Sequence, residues 1–435
     1  MGKREQTSPN ARKSTSETDA PRHLQPKRRM RWWIKGIVAL TVVVLLGCAV
    51  LAAGYLKLQN NIQQSELYQP GETPTGPPQD DDKNPIDILI MGTDTRDGAD
   101  SDFGTAAEST GEGNADVMMA LHISGDRQRA TVVSIPRDTM APFPGCVNVV
   151  PGGQPWPALD AQILNASLSL GGPSCTRKTI EAATGLTFEH FMVADFRAVI
   201  DMTNAVGGVP VCVDQAVDDH DSRLKLPAGE SVIQGEDALA FLRTRHAFGD
   251  ASDLSRITAQ QSFLSALVRK IKGENTLTNL PKLYSIADTV TKNVTLDKSL
   301  ASIPAMLKMA TRLQSIKPEN VTFVTVPHEP WVEDSNRVQL QAEPAARLFK
   351  AIADDVDITK TVASPSAAPT NPETTPEAVE TPAAGTTEPA QDPADTAGEP
   401  DAGEQSPAAT PPADSFEGQN ANQSSCQVTS ESRVG

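Results

Sequence analysis

Zinc-type cysteine spacing is missing from this chain: its five cysteines in 435 residues include no Cys-x-x-Cys pair and no Cys/His set, so a structural zinc centre is excluded. Excess basic charge is missing too. With 38 Lys+Arg against 55 Asp+Glu the formal net charge is −17 at pH 7, which excludes nucleic acid as a partner and leaves anion binding to local clusters. The basic N-terminal arm contains no helix-turn-helix pattern. His220, inside Asp218-Asp219-His220-Asp221, reads as a solvated acidic turn rather than a metal ligand.

Charge is absent from Ile37 to Leu56, an aliphatic run long enough, at about 1.5 Å per residue, to cross a hydrocarbon core of about 30 Å. A clear A-x-A processing site is lacking as well, so the run reads as a retained anchor rather than a cleaved signal peptide. Lys27, Arg28, Arg29 and Arg31 precede it, and Trp32, Trp33 and Tyr55 sit at its edges. This pattern implies a single-pass protein of the cell membrane, with the N-terminus cytoplasmic and everything after Leu56 outside.

Composition then divides the chain into a disordered basic arm (1–32), a transmembrane helix (33–56), a linker rich in Pro, Gly and Asp (57–84), one extracytoplasmic domain (85–360) and a disordered acidic tail rich in Pro, Ala, Thr and Glu (361–435). Thiols outside the membrane can oxidise. Cys146 and Cys175, in Pro-Gly-Cys and Pro-Ser-Cys contexts, are expected to pair, leaving Cys212 as a buried strand thiol, though a pairing of Cys212 stays open.

Within the outer domain, a short buried strand from Ile86 to Met91 delivers the loop Gly92-Thr93-Asp94-Thr95-Arg96. A second strand has Asp116 at its mouth, and a third ends in Arg137 and Asp138. Polar loops are common at strand ends, so the recurrence of Asp and Arg at each is the informative part. A helix through Val199 and Met202 stops at Gly207-Gly208, before the strand Val209 to Val213. Strands alternating with helices predict an α/β fold, a central mixed β-sheet flanked by helices as an α/β/α sandwich.

Charge concentrates between Arg243 and Gln261. After Asp253 the residues Leu254, Ile257, Leu264, Leu267, Val268 and Ile271 recur at helical spacing, so they predict one apolar stripe facing the core. Asp253, Arg256 and Gln260 fall along the edge of that stripe and look inward at the helix's N-terminal end. Arg243 and Arg245 share a side only if their segment is extended. Three arginines and a glutamine at a helix N-terminus suit an oxyanion, because guanidinium forks match phosphate and the helix end adds partial positive charge. An ordinary surface ion-pair cluster is the competing reading.

Six segments together carry a family resemblance: Gly92 to Arg96, Ala115 to Met119, Ser134 to Thr139, Asn204 to Val209, Ala238 to Arg245 and Ser252 to Gln261. In sequence, order and spacing they resemble the LytR-CpsA-Psr family of cell-wall ligases, over roughly Pro85 to Val326. The resemblance implies a membrane-anchored phosphotransferase that moves a glycopolymer from a polyprenyl-pyrophosphate carrier to peptidoglycan through a phosphodiester bond. It implies Mg²⁺ held by Asp94 and Asp116, and pyrophosphate held by Arg96, Arg137, Arg243, Arg245, Arg256 and Gln260. The catalytic set is then Arg137, Arg243, Arg245, Asp253 and Arg256. Asp94, Asp116, Asp138 and Asp253 remain open as general base. An apolar tunnel for the lipid tail is expected along Phe263, Leu264, Leu267 and Val268, one to two turns beyond Arg256 and Gln260 on the same helix. Relatives often carry arginine where Ala259 stands, and helical phase sets that position aside from Arg256 and Gln260. The alternatives are a polyprenyl-pyrophosphate pyrophosphatase, with water in place of the sugar hydroxyl, and a non-catalytic envelope regulator or lipid-binding protein.

Overall fold

The structure, a computed structural model, describes residues 28–73, 83–93, 113–244, 247–249, 253–273, 279–359, 361–363, 416–424, 426–427 and 429. It has two compact units, Met1–Leu56 and Lys57–Gly435. What is described of the first belongs to helix α1, Arg28–Asn61. The stretch Trp32–Asn61 is long and apolar enough to cross a membrane.

The second unit follows in chain order. Strands β1 (Gln63–Ser65), β2 (Ile86–Thr93), β3 (Ala115–Ile123) and β4 (Ala130–Ile135) come first. A hairpin of β5 (Met140–Phe143) and β6 (Leu159–Ile163) leads to α2 (Ala166–Thr184), β7 (His190–Ala194), α3 (Phe196–Val206) and β8 (Val209–Val213). The short strands β9 (Val217–Asp219), β10 (Leu224–Leu226) and β11 (Gly229–Ile233) precede α4 (Glu236–Arg243) and α5 (Asp253–Gly273). Then come α6 (Leu280–Asn293), β12 (Val294–Asp297), α7 (Ile303–Ser315), β13 (Val321–Thr325) and the hairpin β14 (His328–Pro330) and β15 (Val338–Leu340). Helix α8 (Ala342–Ala353), β16 (Val362–Ala363) and β17 (Phe416–Asn420) complete the described chain.

Nine strands form the central sheet in the order β1-β12-β7-β2-β3-β4-β13-β17-β16. It is mixed: β2 runs parallel to β7 and β4 to β13, whereas β3 is antiparallel to both β2 and β4. The alternation along β2 shows why both faces need helices. Ile86 and Ile88 join the core that includes Met309 of α7, and Leu89 and Met91 join the one that includes Leu168 of α2 and Leu348 of α8. A third core, with Val206, Val211, Phe241, Phe248 and Phe263, lies among α3, α4, α5 and β8 to β11. Gly207 and Gly208 both have positive φ, 81° and 86°, and their amides close the end of α3 on Asn204 and Thr203 carbonyls. A Cβ on Gly208 would come within 2.6 Å of Val232 Cγ1, so the double glycine is both a helix stop and a close-packing position.

Several expectations need correction. Order begins before Ile86, for residues expected in a linker from 57 to 84 take part in the fold: β1 pairs in parallel with β12, and Gln69 donates to Gly171 and Ser174. The buried Arg177 also holds this segment, pairing with Glu72 and Glu181 and donating to the Leu67 carbonyl at 2.8 Å. A polar Gln-Gln-Ser strand carries no hydrophobic signal, so composition reads it as tether. Helix α2 runs from Ala166 as two helical segments that abut at Gly172, whose φ of 73° lies in the left-handed region.

The tail correction is larger. Of the tail expected to be disordered over 361–435, residues 364–415 lie outside the described residues, but β17 pairs antiparallel with β13, Phe323 opposite Gln419. Cys212 is not a thiol. It is bonded to Cys426, 214 residues away in the segment expected to be a disordered tail, with the two Cα atoms 4.4 Å apart. Cys146 and Cys175 are joined as well, Cα to Cα 5.7 Å, and Cys48 is free.

Candidate functional site

Strand directions bring the charged positions to one end of the sheet. Thr93 ends β2 opposite Ala115, the start of β3, across a register shift at Gly92 and Thr93. Ile135 at the end of β4 pairs with Met118, Thr325 at the end of β13 pairs with Ser134, and Ala194 at the end of β7 pairs with Gly92. The last residues of β2, β4, β7 and β13 and the first of β3 therefore share this end.

Local hydrogen bonds then aim the side chains. Pro136 stops β4, and Thr139 closes a turn on its carbonyl through both its amide (3.2 Å) and its hydroxyl (2.6 Å), leaving Arg137 and Asp138 at the turn's centre. The backbone of Asn165 stitches this turn to β3: its amide donates to the Arg137 carbonyl at 3.2 Å and its carbonyl accepts from Ala115 at 3.0 Å. Asp116, next to Ala115, thereby meets Arg137, whose Nη1 donates to its carboxylate. Arg137 Nε also lies 3.5 Å from Asp138 Oδ2, and Arg337 Nη1 donates to Asp138 Oδ1 at 3.1 Å. The result is a row of alternating charge, Asp116, Arg137, Asp138, Arg337. Arg337 was missed from sequence, since it lies in the turn of the β14–β15 hairpin, and the docking of Val338 on Asp138 and Thr139 brings it here.

The remaining arginines arrive from helices. Arg243 is the last residue of α4, and its guanidinium sits 4.8 Å from the centroid of Phe196, the first residue of α3 beyond β7. Asp195 caps that helix, accepting from the Ala198 amide at 2.7 Å, and burial pushes its carboxyl above the usual range. The expected extended segment begins only after Arg243, at Thr244 with φ −60° and ψ 135°. Arg256 and Gln260, on the first turns of α5, are 8% and 7% exposed, inward as the helical phase requires. Gln261 fixes α5 to the sheet end by donating to Ser134 at 3.0 Å and Thr325 at 3.1 Å; in sequence it only ends the last of the six segments, with no role assigned to it.

Asp94, Arg96 and Arg245 lie outside the described residues, and Asp253 is placed as the first residue of α5 without a described side chain. Asp116 is therefore the one described member of the expected metal pair. Among the described residues no group of three or more His, Cys, Asp or Glu is placed to hold a metal. A half-buried carboxylate at a sheet end has the oxygen chemistry that a hard cation takes. The expected tunnel residues divide between two cores. Phe263, 2% exposed, belongs with Phe241 and Phe248, and Leu267 packs against that group, whereas Leu264 and Val268 pack on the sheet-side core. Phe263 also lines a cavity of about 200 Å³ with Val211, Phe241 and Ala266. Ala259 is buried at 2% in the Phe241 core, a place with no solvent edge for an arginine head.

The LytR_cpsA_psr family model matches residues 53–354. Cell wall biosynthesis protein LcpA of Corynebacterium glutamicum is 33% identical over 261 residues, 55% of this chain and 49% of that protein. Polyisoprenyl-teichoic acid–peptidoglycan teichoic acid transferase TagT of Bacillus subtilis is 26% identical over 314 residues, 70% of this chain and 89% of that one. The chain spans about half the length of LcpA, and less than half that of LcpB from the same bacterium. Among solved structures, the LytR-Csp2A-Psr enzyme from Actinomyces oris superposes with a TM-score of 0.49 and 19% identity, covering 67% of this chain and 96% of that one.

Proposed function

The chain belongs to the LytR_cpsA_psr family, and from that premise we propose that it is a membrane-anchored phosphotransferase that moves a glycopolymer from a polyprenyl-pyrophosphate carrier to peptidoglycan. The observation that carries the reading is the meeting of Asp116 with Arg137 at the sheet end to which Gln261 also fastens α5, with its buried Arg256 and Gln260. In the reaction, an acceptor hydroxyl oxygen on peptidoglycan bonds to the phosphorus bearing the glycopolymer. The bond from that phosphorus to the bridging oxygen breaks, polyprenyl phosphate leaves with that oxygen, and the hydroxyl proton is released.

Such a transfer spreads negative charge over both phosphoryl groups, and preorganised guanidinium forks stabilise it without reorganising at the moment of reaction. Arg137, Arg243 and Arg256 supply that charge from the described residues, and Arg96 and Arg245 complete the set. Gln260 donates as a neutral partner, and Asp253 lies at the helix start. Asp94 and Asp116 would hold Mg²⁺, an ion that keeps water and substrate oxygens when few protein ligands bind it. Bound there, it would neutralise pyrophosphate charge. The apolar α1 supports anchoring in the cell membrane, the basic residues Lys27, Arg28, Arg29 and Arg31 before the span support a cytoplasmic N-terminus, and the tail of the carrier would pass along Phe263, Leu264, Leu267 and Val268.

The test is to incubate the full chain in detergent with a polyprenyl-pyrophosphate-linked sugar, with and without peptidoglycan fragments. Sugar phosphate attached to the fragments supports transfer. Release into water alone indicates a pyrophosphatase, and binding without turnover indicates a regulator; either would overturn the reading.

A further inference from the structure

The last described residues lie against α5 and β8. After β17, the carbonyls of Ala421 and Gln423 accept from Arg269 of α5, the second at 2.8 Å. Cys426 is bonded to Cys212, the Gln427 amide donates to the Cys212 carbonyl at 2.9 Å, and the Gln427 carbonyl accepts from Asp214 at 3.1 Å. Thr429 ends the run, its amide and hydroxyl donating to Asp214 Oδ1 at 2.8 and 2.9 Å.

Two glutamines of this run, Gln419 and Gln427, are 7% and 6% exposed and converge on a single hydroxyl. Ser262 accepts from Gln427 Nε2 at 2.8 Å and donates to Gln419 Oε1 at 3.4 Å. Its neighbour Gln261 reaches Ser134 of β4 and Thr325 of β13, the two strands that precede β17 in the sheet. Helix α5 is thus held by two adjacent residues to three neighbouring strands and to Gln427, and such a clamp fixes both its rotation and its position along its axis. Arg256 and Gln260, on the same rigid helix, take their places from that setting.

We propose that the described residues 416–424, 426, 427 and 429 form a disulfide-fastened strap, in which Gln419 and Gln427, through Ser262, act as positioning residues for Arg256 and Gln260. This rests on the reading that those two side chains bind pyrophosphate. A misplacement of about 1 Å can cost about a hundredfold in a preorganised site, so a slackened α5 weakens ligand binding before it unfolds the protein. Strap and disulfide thereby tie the site's affinity to an oxidising surrounding.

The experiment uses the full chain in detergent. Ser262→Ala removes both glutamine contacts, Ser262→Thr keeps the hydroxyl, and Cys212→Ser with Cys426→Ser opens the fastening. For each, inorganic pyrophosphate affinity is measured by calorimetry, exchange of α5 amides by mass spectrometry, and the unfolding midpoint by heating. Ser262→Ala and the double serine variant are expected to bind pyrophosphate about tenfold more weakly or worse, with faster exchange in α5, unchanged exchange in β2 to β4, and recovery in Ser262→Thr. Wild-type affinity in Ser262→Ala, or a loss that Ser262→Thr does not restore, overturns the proposal. If the double serine variant does not fold, Ser262→Ala, which breaks no covalent bond, decides. If the wild type binds no pyrophosphate, the functional reading fails, and exchange alone judges the strap: acceleration in α5 supports the clamp, and none overturns it.

Discussion

Arg137 touches two carboxylates, so its replacement by alanine separates binding chemistry from stability by magnitude. Its side chain is 14% exposed, against 30% for Asp116 and 23% for Asp138, so both ion pairs are partly solvated and each contributes about 1 kcal/mol or less to stability. Asp138 keeps Arg337 as a partner, which limits the loss further. An upper bound of about 2 kcal/mol lowers Tm by roughly 3–4 °C in a unit of this size. Removing one preorganised charge from a phosphoryl-transfer site costs about 10²–10³ in rate, or about 2.7–4 kcal/mol. The expected outcome of Arg137→Ala is therefore a folded protein with kcat/KM for sugar phosphate transfer reduced at least a hundredfold. Arg137→Lys restores the charge but not a fork able to serve Asp116 and Asp138 together, so its recovery is partial. The assay is transfer from a polyprenyl-pyrophosphate donor to peptidoglycan fragments, with Tm from circular dichroism on the same samples. More than about a tenth of wild-type kcat/KM in Arg137→Ala, or a loss that merely tracks unfolding, refutes an ionic clamp built on Arg137.

Asp116→Asn keeps an oxygen but loses the charge that attracts a hard cation, so its activity should require several-fold more Mg²⁺ than wild type; an unchanged Mg²⁺ titration counts against Asp116 as a ligand. His122 is pressed down by burial, but Asp87 at 2.8 Å and Asp355 at 3.2 Å outweigh that and raise its pKa above the usual value. Its stabilisation is present below about pH 6.5 and lost as pH rises through the raised folded value. Wild-type Tm should thus fall as pH rises above about 6.5, and the fall should flatten in His122→Gln, with parallel curves sinking the idea. Breaking the Cys146–Cys175 link, whose ends are 29 residues apart, should lower unfolding free energy by about 3–4 kcal/mol; denaturant melts of Cys146→Ala with Cys175→Ala check it, and a change under about 1 kcal/mol would mean that the unfolded chain is already restricted there.

Elements whose signal is local were legible in the sequence. The alternation of β2, the double-glycine stop of α3 and the start of α5 at Asp253 each follow from residues within a turn or two, and so does the inward placement of Arg256 and Gln260. Only tertiary structure could decide the rest. Cys212 and Cys426 carry no mark of each other across 214 residues, and β17 reads as polar tail because Phe-Glu-Gly-Gln-Asn becomes a strand only when β13 supplies its hydrogen bonds. Arg337 enters the charged row because a hairpin folds onto the turn after β4. The tunnel residues make the same point from the other side: one helical stripe looks like one surface, yet Leu264 and Val268 meet the sheet while Phe263 and Leu267 meet α4 and β8 to β11. Periodicity fixes which face of a helix is buried, because it depends on spacing along one chain segment. What that face is buried against depends on where other segments return, and no window of sequence contains them.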